Sequence, residues 1–194
     1  MSDKREFIVS LISQMRSGIV KRMNGIAERM TELASESEWK LLREMVLADL
    51  LEGGSHINAR DAEGFGVLHT VVRTHGDDAA EAVRMLLAAG ADPDMADAEG
   101  VTPLHWCVIE SARRGEPQLK VLHLLLRSGA DVNRADKDGW TPLYSCVNYQ
   151  FPEMIPHLLQ VGARRDVREA TWGRTPLEYA EELGDETAAA LLRE

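Results

Sequence analysis

The sequence predicts an all-α solenoid: a stack of short helix pairs, each joined to the next by a projecting turn, with amphipathic helices ahead of the stack. Two motifs and their phase predict it. Thr102-Pro103-Leu104-His105, Thr141-Pro142-Leu143-Tyr144 and Thr175-Pro176-Leu177-Glu178 are copies, and Gly66-Val67-Leu68-His69 is a weaker fourth. Alternating with them are Gly54-Ser55-His56-Ile57-Asn58, Gly90-Ala91-Asp92-Pro93-Asp94, Gly129-Ala130-Asp131-Val132-Asn133 and Gly162-Ala163-Arg164-Arg165-Asp166. An apolar pair precedes each of these: Leu50-Leu51, Leu86-Leu87, Leu125-Leu126 and Leu158-Leu159. From each glycine to the next threonine position is 12, 12, 12 and 13 residues. A phase held that closely means one structural unit used four times.

At the N-terminus, residues 1–38 do not carry the repeat. Their apolar residues, Phe7, Leu11, Met15, Ile19, Met23, Ile26, Met30 and Leu33, fall at steps of four and three, which is helical spacing. Gly18 and Gly25 leave open one interrupted helix or two, over about 4–16 and 19–34. Three roles compete for this segment. It covers the open apolar end of the stack, it dimerises, or its Met15, Met23 and Met30 stripe takes a partner helix. Ser35 and Glu38 have capping-box spacing and predict a further helix through Leu51.

Within each repeat the threonine caps a first helix and the proline suits its first turn. A second helix ends on the leucine pair, and the glycine after it supplies a left-handed cap. The Asp-rich stretches Asp97 to Gly100 and Asp136 to Gly139 are turn chemistry that projects a hairpin. One helix pair cannot bury its apolar face alone, whereas stacked copies can. Pro156, early in a second helix, is expected to bend it rather than abolish it.

These residues resemble ankyrin repeats, whose signature is Thr-Pro-Leu-His at a period of about 33 residues. The resemblance covers roughly 50–194 and implies a slightly curved stack of paired helices with finger-like hairpins, used for protein binding without catalysis. It divides the chain into a segment 1–38 and a repeat domain 39–194. The domain contains a partial repeat 39–60, repeats over about 61–96, 97–135 and 136–169, and a capping repeat 170–194. The Thr-Pro-Leu starts are 36, 39 and 34 residues apart, so the first two intervals are long. The extra residues fall between the two helices of repeats one and two. In repeat two they lie within Glu110 to Pro117 and predict a lengthened first helix and a polar loop, either a custom contact surface or a tolerated insertion.

The 194 residues carry 22 Lys+Arg against 32 Asp+Glu, a formal net charge of -10. Residues 1–60 are balanced at nine of each sign, so the whole acidic excess lies in 61–194. Such a domain repels phosphate backbones and anionic lipid, which argues against nucleic acid and membrane surfaces; the acidity either steers a basic protein partner or serves solubility alone. The longest early uncharged run, Phe7 to Met15, is too short to span a bilayer. Two cysteines make no disulfide framework, and a reduced, cytoplasmic setting is expected. The acids around Asp92, Asp94, Asp97 and Glu99 lack an EF-hand layout. No phosphate loop, nucleophile elbow or zinc helix occurs, so no catalytic residue, metal or cofactor is expected. His69 and His105 fill the signature position, which the resemblance makes structural.

The resemblance places partner contacts on residues flanking the finger turns and ending the first helices. Carried over residue by residue, the strongest candidates are Phe65, Arg73, Glu99, Val101, Ile109, Glu110, Lys137, Asp138, Trp140, Asn148, Tyr149, Trp172 and Arg174. Weaker ones are Ala62, Glu63, Thr74, Ala98, Thr171, Glu182 and Leu183. The fourth finger is one residue longer and lacks the Asp. Four of the ten aromatics, Phe65, Trp140, Tyr149 and Trp172, fall among the candidates. Exposed aromatics are frequent interface anchors. Replacing Trp140 and Tyr149 by Ala is expected to weaken binding strongly and leave the melting temperature nearly unchanged. Residues 92–99 hold four acids and no base, while 163–174 are net +2, which calls for a partner of opposite gradient. Arg outnumbers Lys by 17 to 5, pointing to a GC-rich bacterial genome. Small acidic ankyrin proteins in bacteria resemble immunity proteins or adaptors that hold a toxin or effector. A monomer is expected, with an oligomeric scaffold built through residues 1–38 as the alternative.

Overall fold

The computed structural model describes residues 57–193, apart from 59, 62 and 74–76. The expectations for segment 1–38, for the helix through Leu51 and for Ala62 and Thr74 lie outside the described residues. Among the described residues there are eight α-helices and no strand. They are α1 (Val67–Val72), α2 (Asp77–Ala88), α3 (Pro103–Arg114), α4 (Leu119–Arg127), α5 (Pro142–Asn148), α6 (Ile155–Gln160), α7 (Pro176–Leu183) and α8 (Glu186–Arg193). A 3-10 turn over Pro152–Met154 leads into α6. None of the described helices is long and apolar enough to cross a membrane. The chain divides between Ala91 and Asp92 into two compact units; α1 and α2 pack on each other in the first, and α3 to α8 belong to the second.

The caps work as the motif chemistry requires. Thr141 Oγ1 accepts from Tyr144 N at 3.3 Å. Thr175 and Glu178 form a reciprocal box, with Glu178 N on Thr175 Oγ1 at 3.2 Å and Thr175 N on Glu178 Oε2 at 2.8 Å. Pro103, Pro142 and Pro176 open their helices, where the missing N–H has no intrahelical partner to lose. At the other end, the first leucine of each pair, Leu86, Leu125 and Leu158, is fully buried.

In the second unit the first helices form one row, α3 on α5 and α5 on α7, with α4, α6 and α8 packed behind their own partners. Leu104, Cys107, Val108, Leu122, Leu143, Cys146, Val147, Met154 and Ile155 make a core with no exposed surface. The leucines, Met154 and Ile155 among them are each worth about 2–5 kcal/mol against truncation to alanine. The two repeats with extra residues use them differently. Repeat two lengthens its first helix to 12 residues, as expected. Repeat one keeps a first helix of 6 residues, and its second helix is 12 residues long against 9 in repeat two. Pro156 lies in the first turn of α6, and the 3-10 turn ahead of it takes up the bend.

The fingers are built by their leading acid. Asp97 Oδ1 accepts the N–H of Glu99 and of Val101, both at 2.9 Å, and Asp136 Oδ1 accepts those of Asp138 at 3.0 Å and Trp140 at 2.9 Å. Successive fingers are then clipped by main chain, Lys137 N to Glu99 O at 3.0 Å and Ala170 N to Asp138 O at 2.8 Å. Gly100 and Gly139 carry positive φ at these clips. A Cβ on Gly139 would meet Ala170 N at 2.9 Å, so both conformation and space demand glycine there. The same hand is at work in the first unit, where Asp61 Oδ1 accepts from Glu63 N and Phe65 N.

Candidate functional site

Three fingers and the ends of three first helices line one edge of the second unit, and one sequence of stacked planar groups runs through them. Trp140 stacks on Tyr144 with centroids 5.6 Å apart and planes 20° from parallel. Tyr144 stacks on Tyr179 at 5.2 Å and 12°. The Arg174 guanidinium lies 4.7 Å from the Tyr179 ring centre and 4.3 Å from that of Trp172. The row thus reads Trp140, Tyr144, Tyr179, Arg174, Trp172. Tyr144 is buried, Trp140, Tyr179 and Arg174 are half-buried, and Trp172 is 69% exposed. Open as it is, the indole has a packing partner in the Arg174 guanidinium.

Arg174 is held in turn by two carboxylates. Glu169 lies 3.7 Å from its Nε, and Glu182 takes its terminal nitrogen. Glu169 stands where the other fingers have Asp, and the longer side chain spans the longer finger. Its carboxylate accepts the N–H groups of Thr171 at 2.6 Å, Trp172 at 2.8 Å and Arg174 at 3.1 Å. Burial works against its charge, but those N–H groups and the Arg174 cation outweigh it and hold the carboxyl below its ordinary range. The missing Asp therefore does not weaken the fourth finger.

His105 joins fingers to helices. Its Nδ1 accepts from Thr102 N at 3.2 Å and from the Thr102 hydroxyl at 2.8 Å, and its Nε2–H donates to the Trp140 carbonyl at 2.9 Å. With both nitrogens engaged and the ring buried, the imidazole stays neutral, its pKa pushed below 6.5 by loss of hydration. Cys107 and Cys146 are buried free thiols. Burial pushes the Cys107 thiol up to about 12 and that of Cys146 higher still, so neither supplies a thiolate.

The candidates divide by position. Phe65 and Arg73 belong to the first unit, where the Arg73 guanidinium sits 5.7 Å from the Phe65 ring centre. In the second unit Glu99 and Lys137 are exposed and face each other at 3.8 Å. Asp138 is exposed at the finger tip, while Val101 and Ile109 are half-buried. Asn148 accepts the Tyr179 hydroxyl at 3.1 Å, and Tyr149 beside it is 41% exposed. Glu110 is buried, its carboxylate turned to Arg113 at 3.1 Å and Arg114 at 3.6 Å, so those arginines are what that turn of α3 presents to solvent. The expectation that Trp140 could be removed without effect on melting needs correction: its ring is half-buried against Tyr144, and its loss opens the stack. Three of the four arginines behind the net charge of +2 are committed within the chain, Arg164 to Asp166, Arg168 to Glu178 and Arg174 to Glu169 and Glu182, while Arg165 is exposed. Tyr144 and Tyr179 are absent from the sequence candidates. Tyr144 in the signature histidine's place was their one visible sign.

The sequence model for ankyrin repeats matches residues 40–136 and 109–194, in three copies. Cyclin-dependent kinase 4 inhibitor B of Bos taurus is 40% identical over 113 residues, which are 58% of this chain and 81% of that protein. Cyclin-dependent kinase inhibitor 2A of Homo sapiens is also 40% identical over 113 residues, 58% of this chain and 68% of that protein. Repeat motifs, clipped fingers and these similarities agree: the chain belongs to the ankyrin repeat family and is a protein–protein interaction module.

Proposed function

We propose that this chain is a non-catalytic binding module that holds a partner protein against the fingers and first-helix ends of its second unit, and that it acts by blocking what it holds. The observation that carries this reading is Trp172, 69% exposed yet braced by Arg174 and by the Glu169 turn beneath it. A large apolar ring already packed on a neighbour loses less entropy on contact than a free one, which suits an interface anchor. Tyr149 at 41% exposure supplies a second anchor. The two named relatives are inhibitors of kinases, which supports blocking as the mode of action and an enzyme as one class of partner. The acidic excess of residues 61–194 favours a basic partner. A basic toxin or effector held in a bacterial cytoplasm by a monomeric immunity protein fits that charge. The rival scaffold reading has its support in the helical spacing of Phe7 to Leu33.

The test replaces both open anchors, Tyr149→Ala with Trp172→Ala, sparing the half-buried Trp140. Proteins retained by the immobilised chain from a lysate of its own cells are quantified for wild type and double variant. Retention of a specific partner should fall by at least about tenfold, since anchor residues carry roughly 2 kcal/mol or more. The double variant should keep the wild-type circular dichroism. Equal retention by both proteins would refute the proposed face.

A further inference from the structure

Six described helix ends close with the same pair of main-chain hydrogen bonds, in which residue C′ bonds three back and the next residue bonds five back. Five of them place glycine in the left-handed position: Gly90, Gly115, Gly129, Gly162 and Gly184, all with φ between 70° and 93°. The sixth, closing α5, has Gln150 at φ 51°, bonded to Val147 O at 3.0 Å with Phe151 N on Cys146 O at 2.8 Å. Gln150 is the one non-glycine residue with positive φ among the described residues. A Cβ disfavours this conformation, and even among side chains it is Asn and Asp, not Gln, that tolerate it best. Nothing in the surrounding structure requires the side chain: Gln150 is exposed and contributes main-chain bonds alone to the cap. A glycine would close the helix equally well, as Gly115 and Gly184 do on α3 and α7, where no atom lies within 4 Å of a built Cβ.

We propose that Gln150 is a partner-binding residue, retained against the local preference for glycine because its amide reaches the protein held at the face described above. The placement fits. Gln150 directly follows Tyr149, 41% exposed, and Asn148, whose amide oxygen takes the Tyr179 hydroxyl at the stack. A glutamine amide offers both donors and an acceptor, the complement of a peptide group, and the contact assigned to it is with main chain of the partner. Strain held in the backbone where the fold gains nothing from it marks a position kept for function.

This inference rests on the proposed binding face, and the test separates the two. Gln150→Gly is measured beside the Tyr149→Ala, Trp172→Ala double variant. The probe is the set of lysate proteins that wild type retains and the double variant loses. Gln150→Gly should melt higher, by about 2 °C, because the strain is relieved, while retention of the probe proteins falls by about fivefold or more. A more stable protein that binds less well is a combination that loss of structure cannot produce. Full retention by Gln150→Gly overturns the role of Gln150 and leaves the face standing if the double variant still loses its proteins. An unchanged or lower melting temperature removes the strain on which the inference stands. If the double variant loses nothing, face and inference fall together.

Discussion

His105 shows how one side chain couples several parts of the second unit. It closes the cap of α3 through Thr102 and holds the next finger through the Trp140 carbonyl, all from a fully buried position. His105→Ala leaves the Trp140 carbonyl and the Thr102 N–H without their partner and opens a cavity, which should lower stability by about 2–4 kcal/mol. The ring also confers a pH dependence. Its folded pKa lies below 6.5 because burial disfavours the cation, so below that pH the unfolded chain takes up a proton that the folded chain refuses. Stability therefore falls as pH drops from neutrality through 6.5, with a slope of up to about 1.4 kcal/mol per pH unit from this group. Urea denaturation at stepped pH reads this directly. The His105→Ala protein should show a shallower decline, and an identical slope in both proteins would place the proton elsewhere. The signature residues announced this histidine; the two acceptor contacts and the carbonyl it holds became visible only when neighbouring repeats were brought together.

At the scale of the element, the finger is a turn whose stability is shared with its neighbour. Gly139 has φ 81° and lies against Ala170, whereas Gly129 has φ 93° and open space around it. Gly129→Ala carries the conformational penalty alone, about 1–2 kcal/mol. Gly139→Ala adds a main-chain collision at 2.9 Å with Ala170 N, the group that clips finger to finger. Thermal melting should rank Gly139→Ala well below Gly129→Ala, by at least about 1 kcal/mol more, and equal losses would show that the clip yields freely. The fingers also mark where sequence reading stopped. Asp97 and Asp136 announced their turns because Asp and Gly sit at a fixed offset. The fourth finger broke the offset, and only geometry reveals that Glu169 compensates one added residue with one added methylene. The stacked row was hidden for a similar reason: Trp140 and Tyr144 belong to one repeat and Trp172 and Tyr179 to the next, and spacing along the chain does not encode the Tyr144–Tyr179 contact that joins them. The same holds for the added residues in repeats one and two, whose number was legible but whose use by different helices was a matter of packing.

For the whole molecule, the repeat pattern settled the fold because a solenoid is assembled from local units, each contacting its neighbours, and local units are what a sequence displays. Function at this scale turns on charge. With a net charge of -10 and Arg164, Arg168 and Arg174 near the fourth finger already matched to Asp166, Glu178 and Glu182, the protein offers an approaching partner a field that is predominantly negative. Such a field acts over the distance of approach and hardly at all once the surfaces meet, so it should govern the rate of association rather than the lifetime of the complex. Raising the salt from about 0.1 M to about 1 M shortens the screening length from about 10 Å to about 3 Å. For a basic partner the association rate should then fall by about tenfold or more, with the dissociation rate nearly constant. Stopped-flow mixing, followed through tryptophan fluorescence, resolves the two rates. An association rate indifferent to salt would mean that the acidic surface serves solubility alone, and one that rises with salt would mean that the partner is itself acidic.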